Sequence, residues 1–117
     1  MVREVQFYRT AAGRCPVGEF LDSLSGKQAQ KVAWVLSLIE ELDCVPAKYF
    51  KKLTGRGDIW EVRANVGRDT FRLLAFHDGP RIVVLTHGFS KKSRKTPGKL
   101  LALAEQRKAE YFKRSKS

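Results

Sequence analysis

Cysteine is scarce in this chain, and its scarcity removes two common supports of a small fold. Cys15 and Cys44 are the whole complement, far apart and without paired spacing, so neither a disulfide framework nor a Cys-x-x-Cys metal pair is expected. A structural zinc site needs about four closely spaced Cys and His ligands. With only His77 and His87 to add, no metal and no cofactor is expected. Long hydrophobic runs are also missing. No stretch approaches the roughly 18 apolar residues of a membrane span. The opening "MVREVQFYRT" has no apolar core of the signal-peptide kind. The expectation is a cytoplasmic protein with no membrane partner. Nor does the chain contain a glycine-rich phosphate loop, a serine-nucleophile motif, paired carboxylates or an internal repeat.

What is present is a globular composition, 43% hydrophobic and 30% charged over 117 residues. That suits one domain, residues 1–117, with a single core. The net charge is +11, and its placement is uneven. Residues 1–50 hold six basic and six acidic side chains, whereas 51–117 hold seventeen and six. A folded chain with one neutral and one cationic region presents a basic surface to a polyanion, nucleic acid first, anionic lipid or an acidic protein less often.

Patterning gives the elements. "VREVQFYR" predicts an N-terminal strand. After Pro16, Val17, Phe20, Leu21 and Leu24 recur at helical spacing. Ser25 and Gln28 form a predicted capping box for a second helix with Val32, Val35, Leu36, Ile39 and Leu42 on one face, ending before Pro46. The period then changes. In "WEVRANV", Trp60, Val62 and Ala64 alternate with Glu61, Arg63 and Asn65, which predicts a strand with Arg63 on the open face. "DTFRLLAFH" and "RIVVLTHGF" predict two denser strands, covered on both faces and joined at an Asp-Gly turn. Thr96 and Pro97 read as N-cap and first-turn proline of a C-terminal helix. The fold class is therefore α+β: an αα-hairpin, an antiparallel sheet made of the N-terminal strand and a three-strand meander, and a final helix.

The candidate functional residues lie mostly in the cationic half. Arg72 sits within an apolar run and requires an anionic partner, either a structural one such as Glu61 or Glu19 or a ligand phosphate. His87 ends the last strand, and an ordinary histidine exchanges protons near neutrality. His77 is expected to face solvent. "HGFSKKSRKT" clusters Lys91, Lys92, Arg94 and Lys95 as phosphate contacts. "AKYFKKLTG" interleaves Lys48, Lys51 and Lys52 with Tyr49 and Phe50, a composition suited to single-stranded RNA. Phe50 and Leu53 are expected to anchor that segment to the core.

The ordered set formed by the "KKL" loop, the aromatic-Glu-aliphatic-Arg strand, the arginine-containing apolar strand and "HGFSKKSRKTP" resembles the RelE/ParE superfamily, in its HigB-like, phage-derived branch. That resemblance implies a RelE-like fold and the toxin half of a type II toxin–antitoxin pair, an endoribonuclease that cuts mRNA on the translating ribosome. Its implied partners are a cognate antitoxin, mRNA and the ribosome, with DNA reached only through the antitoxin. Metal-independent cleavage by attack of the 2′-OH needs a base, an acid and cations for the charge on phosphorus. Arg63 and Arg72 are the candidates for that charge, His87 for acid or base, and Lys52 (or Lys51) for a base. Lys48, Lys51, Lys91, Lys92, Arg94 and Lys95 are the candidates for RNA backbone contact. Two other readings are a ParE-like gyrase inhibitor without catalysis and a non-catalytic nucleic-acid-binding module.

Overall fold

The computed structural model describes residues 2–91 and 95–115. Its elements are β1 (Glu4–Phe7), α1 (Pro16–Asp22), α2 (Gly26–Glu41), β2 (Phe50–Lys52), β3 (Trp60–Val66), β4 (Asp69–Asp78), β5 (Ile82–Ser90) and α3 (Gly98–Ser115). The capping box closes as expected. The Gln28 backbone N–H donates to Ser25 Oγ at 3.2 Å, and the Ser25 N–H donates to Gln28 Oε1 at 3.0 Å. Val32, Val35, Leu36 and Ile39 are buried on the inner face of α2. Leu42 is not. It occupies the C-cap in an extended conformation and is 39% exposed, because leaving the helix turns it off the stripe.

The five-stranded sheet has the order β1-β5-β4-β3-β2. The meander β3-β4-β5 is antiparallel, but β1 lies parallel to β5, with Glu4 opposite Ile82 and Phe7 opposite Leu85. The expected all-antiparallel sheet is thus corrected to a mixed one. Alternation assigns side chains to faces and carries no information on the direction of a neighbour. β2 is an addition as well. Its three residues are too few for a periodic signal, although Phe50 is the buried anchor that the sequence suggested.

Helices cover both faces. α1 and α2 pack on the side carrying Val62, Leu73, Ala75, Val83 and Leu85, while α3 packs on the side carrying Leu74, Phe76 and Val84. The Glu61–Arg63 face of β3 is therefore shared with α3 and is not open. Two local devices fix the final strand. A bulge at Thr86 shifts the register, so Ala75 faces Leu85 while Leu74 faces His87. Thr86 stabilises it by donating its hydroxyl to the Leu74 carbonyl at 3.1 Å. The extra residue moves His87 to the α3 side of the sheet.

Beyond the bulge, Gly88 lets α1 approach closely. A Cβ there would sit 2.4 Å from Phe20 Cδ2. Gly88→Ala is expected to destabilise the fold by about 1–3 kcal/mol through overpacking, despite the better strand propensity of alanine. Urea denaturation of Gly88→Ala beside Gly88→Ala/Phe20→Leu checks this, and the smaller aliphatic side chain, which removes the ring, should recover part of the loss.

Candidate functional site

β3 and β4 bring two arginines face to face, since Arg63 and Arg72 are direct cross-strand partners. Two guanidinium groups on opposed backbone positions repel one another unless an anion lies between them. Glu61 supplies it. Its Oε1 is 3.0 Å from Arg63 Nε and 3.1 Å from Arg72 Nε. The Arg63 contact is an aligned hydrogen bond, whereas Arg72 Nε is held by charge without an aligned partner among the described residues. Thr96 donates its hydroxyl to the second oxygen, Oε2. Of the two carboxylates that the sequence offered Arg72, Glu61 is the partner. Glu19 instead pairs with Arg14 on the surface.

Thr96 is thereby drawn out of the capping role expected for it. α3 begins at Gly98, and the Pro97 carbonyl accepts its first bonds, from Leu100 and Leu101. The segment leading into α3 is tied to the floor of the site through Thr96 and Glu61.

Above this cluster is a cavity of about 270 Å³ walled by Leu53, Arg56, Glu61, Arg63, Lys91 and Thr96, with Lys95 also on its lining. Its apolar wall comes from Leu53 and Leu101 and its charge from the basic half of the chain. Arg56 is paired with Glu105 of α3 at 3.0 Å. Lys91 is pinned by its backbone N–H, which donates to the Thr70 carbonyl. Desolvation pushes its ammonium below the ordinary lysine range; Glu61 opposes the shift, and Arg72 and Arg63 add to it. Burial likewise lowers Arg72 from its usual value, and a guanidinium remains charged at neutral pH even so.

The other sequence candidates separate into groups. Lys51 lies opposite Glu61 in the β2–β3 register, on the same sheet face, and is exposed. Lys52 lies opposite Trp60, on the other face, and is paired with Asp58 at 2.8 Å. Lys48 sits over the Tyr49 ring, which meets Trp34 edge to face at 5.4 Å. That small aromatic and cationic patch is on the helical-hairpin side, away from Glu61. Lys92 and Arg94 lie outside the described residues.

Neither histidine has the environment that the sequence suggested. His87 is only 6% exposed. Burial, helped by the positive charge of Arg107, pushes its pKa down to about 4, against weak opposition from the Leu100 backbone. Its Nδ1 is 3.0 Å from Thr86 Oγ1, and Nε2 has no aligned partner among the described residues. A ring that is neutral and covered at pH 7 is a poor proton shuttle. His77 is not solvent-facing either. It is wedged against Trp60 and Phe50, with ring centroids 5.0 and 5.8 Å away, and desolvation lowers its pKa.

The residues that meet at this cavity are those that a family comparison spans. The model of the phage-derived Gp49-like proteins (DUF891) matches residues 19–109, from α1 through most of α3. The chain belongs to that family. Gp49-like proteins are a toxin-like family of the RelE/HigB type associated with toxin–antitoxin pairs, so membership implies a cognate antitoxin partner. No curated protein matches the chain. Glu61, Arg63, Arg72, Lys91 and Thr96 all fall inside the matched span of this Gp49-like chain. No helix among its described residues is long and apolar enough to cross a membrane.

Proposed function

We propose that this Gp49-like chain is the toxin of a type II pair, of the HigB-like branch, and that it cleaves mRNA on the translating ribosome. The observation that carries the reading is the pairing of Arg63 and Arg72 across two strands, beside a cavity lined with further cations. Two guanidinium groups suit a phosphodiester whose negative charge grows in the transition state, because each offers several donors in a fixed plane. In the reaction, the substrate 2′ oxygen attacks the adjacent phosphorus and the P–O5′ bond breaks. The products are a 2′,3′-cyclic phosphate and a 5′-OH end, with the departing oxygen protonated from water.

The proton of the 2′-OH needs an acceptor, and Lys91 is better suited than Lys52 or His87. It stands on the cavity wall with its pKa lowered, and a lowered lysine is neutral more often near pH 7. Lys52, by contrast, is committed to Asp58. Lys51 and Lys95 then serve as backbone contacts around the mouth, whose affinity weakens with salt.

The test is a reconstituted translation system in which mRNA 5′ ends are mapped after adding the purified protein. New ends within the A-site codon are expected, and Lys91→Met is expected to lower their rate about 100-fold or more, while Lys52→Met lowers it less than 10-fold. Intact mRNA from a folded protein that still arrests growth defeats the ribonuclease reading. It would move the target to gyrase or to nucleic-acid binding without chemistry.

A further inference from the structure

Glu61 is a carboxylate with 1% of its side chain exposed, in the most cationic part of the molecule. It gathers partners from three segments: Arg63 on β3, Arg72 on β4 and Thr96 ahead of α3. On charge alone, an anion at a cavity read as a phosphate site is self-defeating. The geometry gives it a different sense. An arginine that meets a carboxylate fork to fork uses two nitrogens on two oxygens, as Arg14 does with Glu19. Here both arginines approach by Nε, and both use the same oxygen, Oε1.

Among the described residues, that leaves most of the Nη donors of the two guanidinium groups uncommitted. The Nη nitrogens of Arg63 have no hydrogen-bond partner among the described residues, and Arg63 lines the cavity. Among the described residues, Arg72 commits only Nη1, to the Phe71 carbonyl at 3.3 Å. An exposed arginine samples many rotamers, and restricting them before the ligand arrives removes an entropic cost from the bound state. A carboxylate held at Nε, through an aligned hydrogen bond for Arg63 and through charge alone for Arg72, restrains the guanidinium while leaving its Nη edge to another anion.

We infer that Glu61 is a positioning residue, which holds Arg63 and Arg72 by their Nε ends so that their Nη donors converge on one phosphate, with Thr96 fixing the carboxylate in turn. The inference rests on the phosphodiester reading of the cavity. It differs from an ordinary stabilising ion pair in what it predicts for binding. Removing the Glu61 charge makes the cavity more positive, so a ground-state RNA should bind as well or better, while the transition state loses its aligned donors.

The experiment compares wild type with Glu61→Gln, which keeps size and one acceptor oxygen. Single-turnover cleavage on programmed ribosomes is expected to fall about 100-fold or more. Affinity for ribosomes carrying a 2′-O-methyl A-site codon, which lacks the attacking hydroxyl, should stay within about threefold or tighten. A cleavage rate near wild type overturns the inference, as does a parallel loss of rate and affinity in a folded variant. If Glu61→Gln does not fold, Thr96→Val carries the test, with an expected loss of about 5–20-fold in rate and unchanged affinity. A wild-type rate in Thr96→Val then overturns it.

Arginine side-chain NMR separates this inference from the functional reading. On adding a 2′-O-methyl oligoribonucleotide to the wild-type protein, the Nη signals of Arg63 and Arg72 should shift while their Nε–H signals stay where Glu61 sets them. That result, obtained with a protein that cuts no RNA, would keep the positioning role and discard the cleavage. Nε–H signals that move to the positions of solvent-exposed arginine mean that the ligand displaces Glu61, and this overturns the inference.

Discussion

Arg72→Ala is expected to abolish the new mRNA 5′ ends, lowering their rate of formation by about 100- to 1,000-fold, the usual consequence of removing one transition-state donor. The size of the effect follows from where Arg72 sits. Only 13% of its side chain is exposed, so water is a poor substitute for its charge, and the neighbouring Leu73, Leu74 and Phe71 are all buried. In that low-dielectric setting a cation acts more strongly on developing phosphate charge than at the surface. Arg72→Lys is expected to restore less than a tenth of the activity. A lysine has one nitrogen for two tasks, meeting Glu61 and meeting the phosphate, whereas the guanidinium divides them between Nε and Nη.

The stability cost of Arg72→Ala should be smaller than the catalytic one. Its removal leaves Glu61 with Arg63 and the Thr96 hydroxyl, and it relieves the repulsion between the cross-strand arginines. Circular dichroism and urea denaturation should therefore find a folded variant that no longer cuts. Wild-type cleavage by Arg72→Ala would leave Arg72 a structural residue. An unfolded variant would show that the ion pair holds the sheet together, and Arg72→Lys would then be the comparison that decides.

Much of this arrangement was legible before the structure, for reasons specific to each residue. The alternation of Trp60, Val62 and Ala64 with Glu61, Arg63 and Asn65 put Glu61 and Arg63 on one face because the strand period is two. The need of Arg72 for an anion followed from its apolar neighbours, and Glu61 was one of two candidates. Three features were not legible. The parallel pairing of β1 with β5 is a matter of direction, which alternation does not encode. Thr96 carries the sequence signature of a helix cap, and only the approach of the α3 segment to β3 gives its hydroxyl a stronger acceptor.

The fate of His87 was hidden for a third reason. Counting by twos from Val83 and Leu85 places it with the helical hairpin, but the bulge at Thr86 inserts one residue and turns it under α3. The same insertion separates it from the proton chemistry that its position after a strand and before four cations suggested. Lys91 has the opposite history. It read as one of several backbone contacts, and its lowered pKa comes from desolvation by neighbours that are distant in sequence.

Burial of His87 makes a prediction about acid stability that is independent of function. Its folded pKa is about 4 and its ordinary value is 6.5, so on acidification the unfolded chain takes up this proton first. The contribution of the neutral ring is complete above about pH 6.5 and is lost progressively as the pH falls towards 4. At roughly 1.4 kcal/mol for each tenfold difference in proton affinity, the lost stability is about 3 kcal/mol. With a typical urea dependence of about 1–3 kcal/mol per molar, the denaturation midpoint should drop by about 1–3 M over that interval.

Carboxylates held below their usual range by cationic or hydroxyl partners, Glu19, Asp58 and Glu110 among them, also lose stability on acidification, and they do so in any variant. The difference between wild type and His87→Leu isolates the histidine. His87→Leu cannot take up the proton, so its advantage over wild type should grow between pH 6.5 and 4. Arg107, which faces the ring, stays charged throughout that interval and adds only to the cost of protonating His87. Parallel pH profiles for the two proteins would show that the ring is free to ionise in the fold. In that case His87 would return as a proton donor for the cleavage, and the pH dependence of the rate should then show a group near 6.5 that disappears in His87→Leu.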